Sequence, residues 1–165
     1  MTYEGYAPGG VAVIVQALTD NRNRTSAEIK NLFSRNGGSF AEPGAVSWQF
    51  ERKGVVLVDK AADEDELTLA AADAGAEDVQ DLGDSWQVTT PPTELHHVRT
   101  AIEEAGIKVN SSDLTMIPTT VVELNKESQA KTVLHLMEVL EDHDDVEAVY
   151  ANFDIPDAVL EAVTA

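Results

Sequence analysis

The chain has 165 residues, of which 43% are hydrophobic and 25% charged, enough for one ordinary domain or two small ones. It contains no cysteine, which excludes disulfide bonds and thiolate chemistry. The longest apolar run, residues 11–15, is far too short to cross a membrane, and no signal-peptide pattern follows Met1. We therefore expect a cytoplasmic globular protein that has no contact with a membrane.

The formal net charge is −19, and the charges are unevenly distributed along the chain. Residues 1–60 have seven basic and six acidic side chains, whereas residues 61–165 have four basic and 24 acidic ones. Because like charge repels phosphate, only the first third of the chain is a plausible nucleic-acid surface. The surplus of acidic groups elsewhere also favours solubility.

The first fifty residues are predicted to form a strand, a helix and a second strand. Residues 11–18 are apolar on both faces, which is typical of a strand covered on both sides. Thr25 and Glu28 have the spacing of a capping box and predict a helix start, and Gly37 with Gly38 predicts its end.

A second strand is predicted over residues 45–50. There Val46, Trp48 and Phe50 alternate with polar residues, the period of a half-buried strand. This alternation favours Trp48 as a core residue over Trp48 as a platform for stacking bases.

Residues 54–117 are predicted to form a β-α-β-β-α-β unit. After a strand at 54–59, Asp63 and Glu66 repeat the capping-box spacing and begin a helix that ends at Gly75. Two short strands then flank a turn at residues 83–84, a second helix follows the prolines at 91 and 92 and ends at Gly106, and an extended segment returns to about residue 117. This order is the ferredoxin-like pattern.

The rest of the chain is predicted to form a strand at 119–124, a helix at about 126–141 and a strand at 146–153. We therefore predict an α+β fold of two ferredoxin-like domains, one inserted in the other. The outer, split domain comprises residues 1–53 and 118–165, and the inner domain residues 54–117. The alternative is two sequential domains divided near residue 60, which leaves the last helix without enough sheet to cover its apolar face.

The sequence contains none of the usual catalytic, P-loop or dinucleotide-binding motifs, so we predict no enzyme, no cofactor and no metal. His143 lies in the segment EDHDD, where carboxylates could bind a cation weakly. A solvated acidic loop is the favoured interpretation of that segment.

The most suggestive feature is the segment NRNR with the basic residues that follow it. Arg22 and Arg24 are predicted in a loop beside a helix N-terminus, a place that suits a phosphate. The candidate nucleic-acid-binding residues are Arg22, Arg24, Lys30, Arg35, Arg52 and Lys53. The alternative, equally weighted, is that Arg22 and Arg24 pair with Asp20, Glu28 or the acidic inner domain and so fix domain orientation.

The opening segment YEGYAPGG has two interpretations. Proline and glycine together hold a defined loop, which favours a rigid lead-in from a preceding domain. The alternative is that its tyrosines cover a neighbouring surface. The candidate residues of an interdomain joint are Tyr3, Tyr6, Pro8, Gly9 and Gly10.

The segment YEGYAPGGVAVIVQALTDNRNRTSAEIKNLFSRNGGSF resembles the opening of the second domain in the YebC family of regulatory proteins. The resemblance continues through FERKGVV, AADAGAEDV, SDLTMIPTT and VLEDHDDVEAVYANFDI and covers essentially the whole chain. Ala7 stands where the family commonly has glycine. Family members begin with a lysine-rich helical domain ahead of this region, so we expect the chain to be a fragment that lacks it.

The resemblance implies two α+β domains, one inserted in the other, and a role in gene expression. Family members are described as probable transcriptional regulators that bind DNA, a mitochondrial relative is a translational activator for a cytochrome oxidase subunit, and bacterial relatives are tied to stalled ribosomes. No catalytic residues are implied.

Three hypotheses follow for the function. The first is a DNA-binding transcriptional regulator, with weak duplex binding by this chain alone. The second is a ribosome-associated translation factor that contacts ribosomal RNA. The third, from fold analogy only, is a small-molecule sensor with its ligand at the interdomain cleft.

Overall fold

The computed structural model of the protein describes residues 1–164 and the side chains of residues 1–163. Its elements in chain order are β1 (Thr2–Ala7), β2 (Val11–Ala17), α1 (Arg22–Arg35), β3 (Ser39–Ala41), β4 (Phe50–Asp59), α2 (Glu64–Asp73), β5 (Asp78–Asp81), β6 (Ser85–Thr90), α3 (Leu95–Glu104), β7 (Val109–Pro118), β8 (Val122–Glu123), α4 (Glu127–Glu141), β9 (Val146–Ala151), β10 (Phe153–Asp154) and α5 (Asp157–Thr164). The α+β class predicted from the sequence is confirmed. No helix in residues 1–164 is both long enough and apolar enough to span a membrane.

The chain divides into two compact units. The first contains Met1–Phe50 together with the chain from Pro118 onward, and the second contains Glu51–Ile117. The second unit is therefore inserted between the two segments of the first.

The first unit is built on a four-stranded antiparallel sheet in the order β3-β1-β2-β9. Its first two strands form a hairpin in which Ala7 pairs with Val11, and the turn uses Gly9 and Gly10 at positive φ. The sequence analysis predicted a loop here and did not predict β1. In the structure Tyr3 and Tyr6 lie in this strand, and only the segment with Pro8, Gly9 and Gly10 forms a turn.

Both α1 and α4 pack on one face of this sheet. Alternate residues of β1 and β2 point towards them. Phe33 of α1, the largest of the fully buried side chains, lies against Gly5 so closely that a Cβ there would be 2.6 Å from its ring. Residues 11–15 of β2 are all buried, as expected for a strand covered on both faces.

The second unit has the predicted order β-α-β-β-α-β, with the sheet order β5-β6-β4-β7. Asp63 caps α2, as predicted, by accepting hydrogen bonds from the N–H groups of Asp65 and Glu66. One face of the sheet packs against α2 and α3 around a core that includes Leu67, Trp86 and Ile102. The ferredoxin-like arrangement of this unit is confirmed.

Several predicted elements of the first unit are wrong. Residues 45–49 form a loop with a single 3₁₀ turn at Ser47–Gln49, and Phe50 begins β4. Trp48, predicted in the core, is 70% exposed. The N–H groups of Gly44, Val46 and Ser47 bond to the Glu4 carboxylate instead of to a neighbouring strand. The strand predicted at 119–124 is reduced to Val122–Glu123, which pairs in parallel with β10, and α5 was not predicted.

Candidate functional site

The start of α1 differs from the prediction. Asn21 caps the helix, its side-chain oxygen accepting the N–H of Arg24 at 3.1 Å, so Arg22 and Arg24 lie in the first helical turn and not in a loop. Thr25 was predicted as the cap but is buried within the helix, where its hydroxyl donates to Asp145 Oδ2 at 2.9 Å. Asparagine is at least as good a cap as threonine, and the inward position gives the Thr25 hydroxyl a carboxylate partner.

Arg24 is held by two carboxylates of the first unit. Its Nη2 lies 2.7 Å from Asp145 Oδ2, and its Nε lies 4.0 Å from Glu28 Oε1. The hydrogen bond with Asp145 raises the pKa of Arg24. Hydrogen bonds from Thr25 and then Arg24 lower the pKa of Asp145. The charge of Arg24 is therefore largely compensated, and it pairs with Glu28, one of the partners considered from the sequence.

His143 joins the same group of residues. Its side chain is only 13% exposed, so the prediction of a solvated acidic loop is wrong for His143 itself, whereas Glu141, Asp142 and Asp144 of the same segment are exposed. Its Nδ1 accepts the backbone N–H of Asp145 at 3.1 Å, which leaves the proton on Nε2, 2.6 Å from Glu28 Oε2. We call Arg24, Thr25, Glu28, His143 and Asp145 the His143 network. It ties α1 to the loop between α4 and β9.

Three side chains of the His143 network are of types that bind metal ions in proteins. One ligand atom each from Glu28, His143 and Asp145 lies within 4.8 Å of the others. A metal on Nε2 would need the lone pair of that nitrogen, yet the Asp145 N–H on Nδ1 fixes the proton at Nε2. Arg24 and Thr25 also occupy Asp145 Oδ2. These contacts form a closed hydrogen-bonded network that a metal would have to break.

The other basic residues of α1 are free of such compensation. Arg22, Lys30 and Arg35 are exposed, and no carboxylate within residues 1–164 lies in salt-bridge range of them. At about 100° per residue, Lys30 is about 80° around the helix from Arg22, and Arg35 a further 140°. Arg22 shares the angular range of the buried Ile29 and Phe33 and is exposed in the first turn of the helix. The three charges therefore point in different directions around α1 and do not form a single row.

Arg52 and Lys53 belong to the second unit. Lys53 Nζ lies 2.8 Å from Glu77 Oε2 and 3.5 Å from Glu51 Oε2, and the hydrogen bond with Glu77 raises the pKa of Lys53. Arg52 is exposed. The six candidate cations are thus divided between two units, and one cation in each unit is paired.

Glu4, which the sequence analysis did not identify, fixes the loop over residues 42–49 through hydrogen bonds to its backbone. Its carboxylate is 5% exposed and accepts the N–H groups of Gly44 at 2.6 Å, Val46 at 3.0 Å and Ser47 at 2.7 Å. Burial raises the pKa of Glu4, but the hydrogen bonds from these groups outweigh it and the pKa lies below its ordinary value. No local pattern could have indicated this role, because the donors are about forty residues away.

A second buried polar group joins the segments where the chain leaves and re-enters the first unit. Asn152 Oδ1 accepts the N–H of Ala12 at 2.8 Å, and its Nδ2 donates to Gln49 Oε1 at 3.0 Å and to Thr120 O at 2.9 Å. The N–H of Thr119 donates to Gln49 O at 2.8 Å. Residues 49 and 119–120 are therefore fixed side by side on the first unit.

These observations define an acidic α+β protein with a ferredoxin-like insertion, whose polar networks hold loops and helix ends in place. The chain matches the family model "TACO1/YebC second and third domain" over residues 1–153. It belongs to this family, and the resemblance seen in the sequence is confirmed.

Curated relatives are consistent with this assignment. A probable transcriptional regulatory protein of Halothermothrix orenii is 50% identical over 165 residues, which cover 98% of this chain and 65% of the relative. One of Rubrobacter xylanophilus is 53% identical over 164 residues, covering 99% of this chain and 65% of the relative. The chain thus spans about two thirds of the length of these relatives.

A solved structure also matches. The crystal structure of a conserved hypothetical protein from Aquifex aeolicus superposes with a TM-score of 0.85 at 44% sequence identity. The match covers 95% of this chain and 65% of that protein.

Proposed function

We propose that the protein is a regulator of gene expression that binds nucleic acid through the exposed basic residues of α1. The supporting observation is that Arg22, Lys30 and Arg35 are solvent-facing and have no carboxylate partner within residues 1–164, in a protein that otherwise has a large acidic surplus. The relatives are named probable transcriptional regulatory proteins, which agrees with a regulatory role. We propose DNA as the first candidate target. We propose no catalytic activity.

The salt dependence of DNA binding depends on how many cations of α1 contact phosphates. Because Arg22, Lys30 and Arg35 point in different directions around α1, at most about three counterions are released on binding. The logarithm of the affinity therefore falls with the logarithm of the salt concentration with a slope no steeper than about −3. The net charge of −19 opposes this attraction. We therefore expect the chain alone to bind duplex DNA weakly, at micromolar concentration or above in low salt.

Fluorescence anisotropy with a labelled 30-base-pair duplex tests the proposal. The variant with Arg22, Lys30 and Arg35 all changed to alanine is compared with a control that changes Lys126 and Lys131, the exposed bases of α4, to alanine. The proposal expects the α1 variant to lose most of the binding and most of the salt slope, and the α4 control to keep more of both. Equal losses in the two variants would contradict it.

Ribosomal RNA is the second candidate target. Its favouring observation is the charge distribution, because a body with −19 charges is repelled by a bare duplex but can approach an assembly that also presents basic proteins. Co-sedimentation of the full-length protein with ribosomes in low salt distinguishes this candidate, and no co-migration would count against it. The sensor hypothesis has no further support and stays a prediction.

A further inference from the structure

The loop over residues 42–49 is rigidly built but presents a large aromatic side chain to solvent. Three backbone N–H groups of the loop bond to Glu4, and the side chain of Val46 is fully buried. Gln49 bonds to Thr119 and Asn152. Trp48 is nevertheless 70% exposed. A pre-ordered tryptophan of this kind is typical of residues that dominate binding energy, because little entropy is lost when a partner covers it.

The polar end of Trp48 is already occupied. Its Nε1–H donates to Ala45 O at 2.9 Å, which fixes the indole ring on its own loop. Any contact with a partner must therefore use the ring face and edges. The face of a tryptophan ring attracts cations more strongly than that of other aromatic side chains.

This loop lies on the side of the sheet away from α1. Gly5 of β1 contacts Phe33 of α1, and the adjacent residue Glu4 points to the opposite face, where it binds the loop. Both α1 and α4 pack on the Gly5 side. Trp48 and the basic residues of α1 therefore belong to opposite faces of the first unit.

The charge of the Trp48 side follows from this layering. The first unit has six Lys and Arg residues and fifteen Asp and Glu residues. Four of the six basic residues lie on α1. The other two are Lys126, which is the N-cap of α4, and Lys131, which lies within α4. The Trp48 side has no Lys or Arg of this unit, and the exposed Glu42 lies in the same loop. The exposed Arg52 of the second unit follows Trp48 by four residues, with the exposed Glu51 next to it in the sequence. The charged residues nearest to Trp48 along the chain on each side are therefore carboxylates, Glu42 before it and Glu51 after it, which favours a cation over a phosphate backbone.

We propose that Trp48 anchors a surface that binds an arginine-bearing basic segment of a partner protein. The guanidinium stacks on the indole face, and Glu42 supplies a second, electrostatic contact. This surface is separate from the one proposed for nucleic acid on α1, and the inference does not depend on that function.

Titration with a nona-arginine peptide, followed by the indole ¹H–¹⁵N resonances, tests the proposal. The chain has two tryptophans, and the other, Trp86, is buried in the second unit and serves as an internal reference. We expect the Trp48 resonance to shift and that of Trp86 to stay, with weaker binding of nona-lysine because an ammonium does not stack as a planar guanidinium does.

Variants make the test specific. Trp48→Ala is expected to weaken nona-arginine binding about threefold to thirtyfold. The matched control, Leu18→Ala, removes a side chain of the same unit that is 71% exposed and should leave the affinity unchanged. Equal affinity of Trp48→Ala and Leu18→Ala would overturn the proposal. So would a shift of the Trp48 resonance by a 12-nucleotide oligouridylate in the absence of any shift by nona-arginine, which would assign the surface to single-stranded nucleic acid.

Discussion

Replacing Glu4 with glutamine perturbs the loop at residues 42–49 with almost no change of shape. The amide keeps one oxygen for the N–H groups of Val46 and Ser47, but its NH₂ then faces the N–H of Gly44, which loses its 2.6 Å bond. Hydrogen bonds to a charged acceptor contribute about 1.5–3 kcal/mol and neutral ones about 1, and a buried unsatisfied donor costs about 1–3 kcal/mol. We expect Glu4→Gln to lower the free energy of unfolding of the first unit by about 3 kcal/mol.

The two tryptophans allow this loss to be assigned to one unit. Trp48 lies in the first unit and Trp86 in the second, so their indole resonances during urea denaturation report the two units separately. We expect Glu4→Gln to move the midpoint of the Trp48 transition to lower urea. If the units unfold independently, the Trp86 midpoint stays unchanged.

The control is Glu42→Gln, which removes an exposed carboxylate from the same loop and should change stability by less than about 0.5 kcal/mol. The reasoning is refuted if Glu4→Gln unfolds at the same urea concentration as Glu42→Gln. That result would mean that the loop does not depend on the buried carboxylate.

Three other predictions concern the same unit. The folded-state pKa values of Glu4 and Asp145 are lowered, so the unfolded chain binds more protons in acid. The stabilisation from these two carboxylates should be fully present above about pH 5 and should decline as the pH falls through their folded-state pKa values. Thermal melts from about pH 3 to 7 should show a smaller dependence of the melting temperature on pH for Glu4→Gln than for the wild type. Asn152→Ala should cost about 2–4 kcal/mol because it leaves buried partners unbonded; an unchanged urea midpoint would oppose this. Asp145→Asn should speed amide hydrogen exchange in the first turn of α1, whereas the exposed neighbour Asp144→Asn should not.

The inserted unit could be predicted from the sequence because its signals are local. Asp63 lies three residues before Glu66, glycines follow both helices, and the hairpin strands alternate with a clear period. Each of these patterns involves residues within one or two turns of each other, so short-range physics decides the structure.

The first unit was harder because its decisive contacts are distant in sequence. Glu4, a charged residue in a strand, interrupts the apolar alternation that would have indicated β1, and it is buried only because of donors some forty residues later. The alternation of Val46, Trp48 and Phe50 imitates a strand, but Glu4 takes the backbone N–H groups on which a strand would depend.

In the candidate site, too, the contacts that are local in sequence could be predicted and the distant ones could not. The sequence identified the basic residues and considered Glu28 as a partner of Arg24, since these residues are four apart. It could not indicate Asp145 or His143, which approach α1 from more than a hundred residues away. The spread of the cations over two units likewise depends on the inserted topology.

The most direct test of nucleic-acid binding through α1 is ultraviolet crosslinking of the protein in cells, followed by sequencing of the attached nucleic acid. The wild type is compared with the variant in which Arg22, Lys30 and Arg35 are alanine. The proposed function expects enrichment of either DNA or ribosomal RNA in the wild type and a strong loss in the variant. Equal recovery from both proteins, or none above background from the wild type, would contradict it.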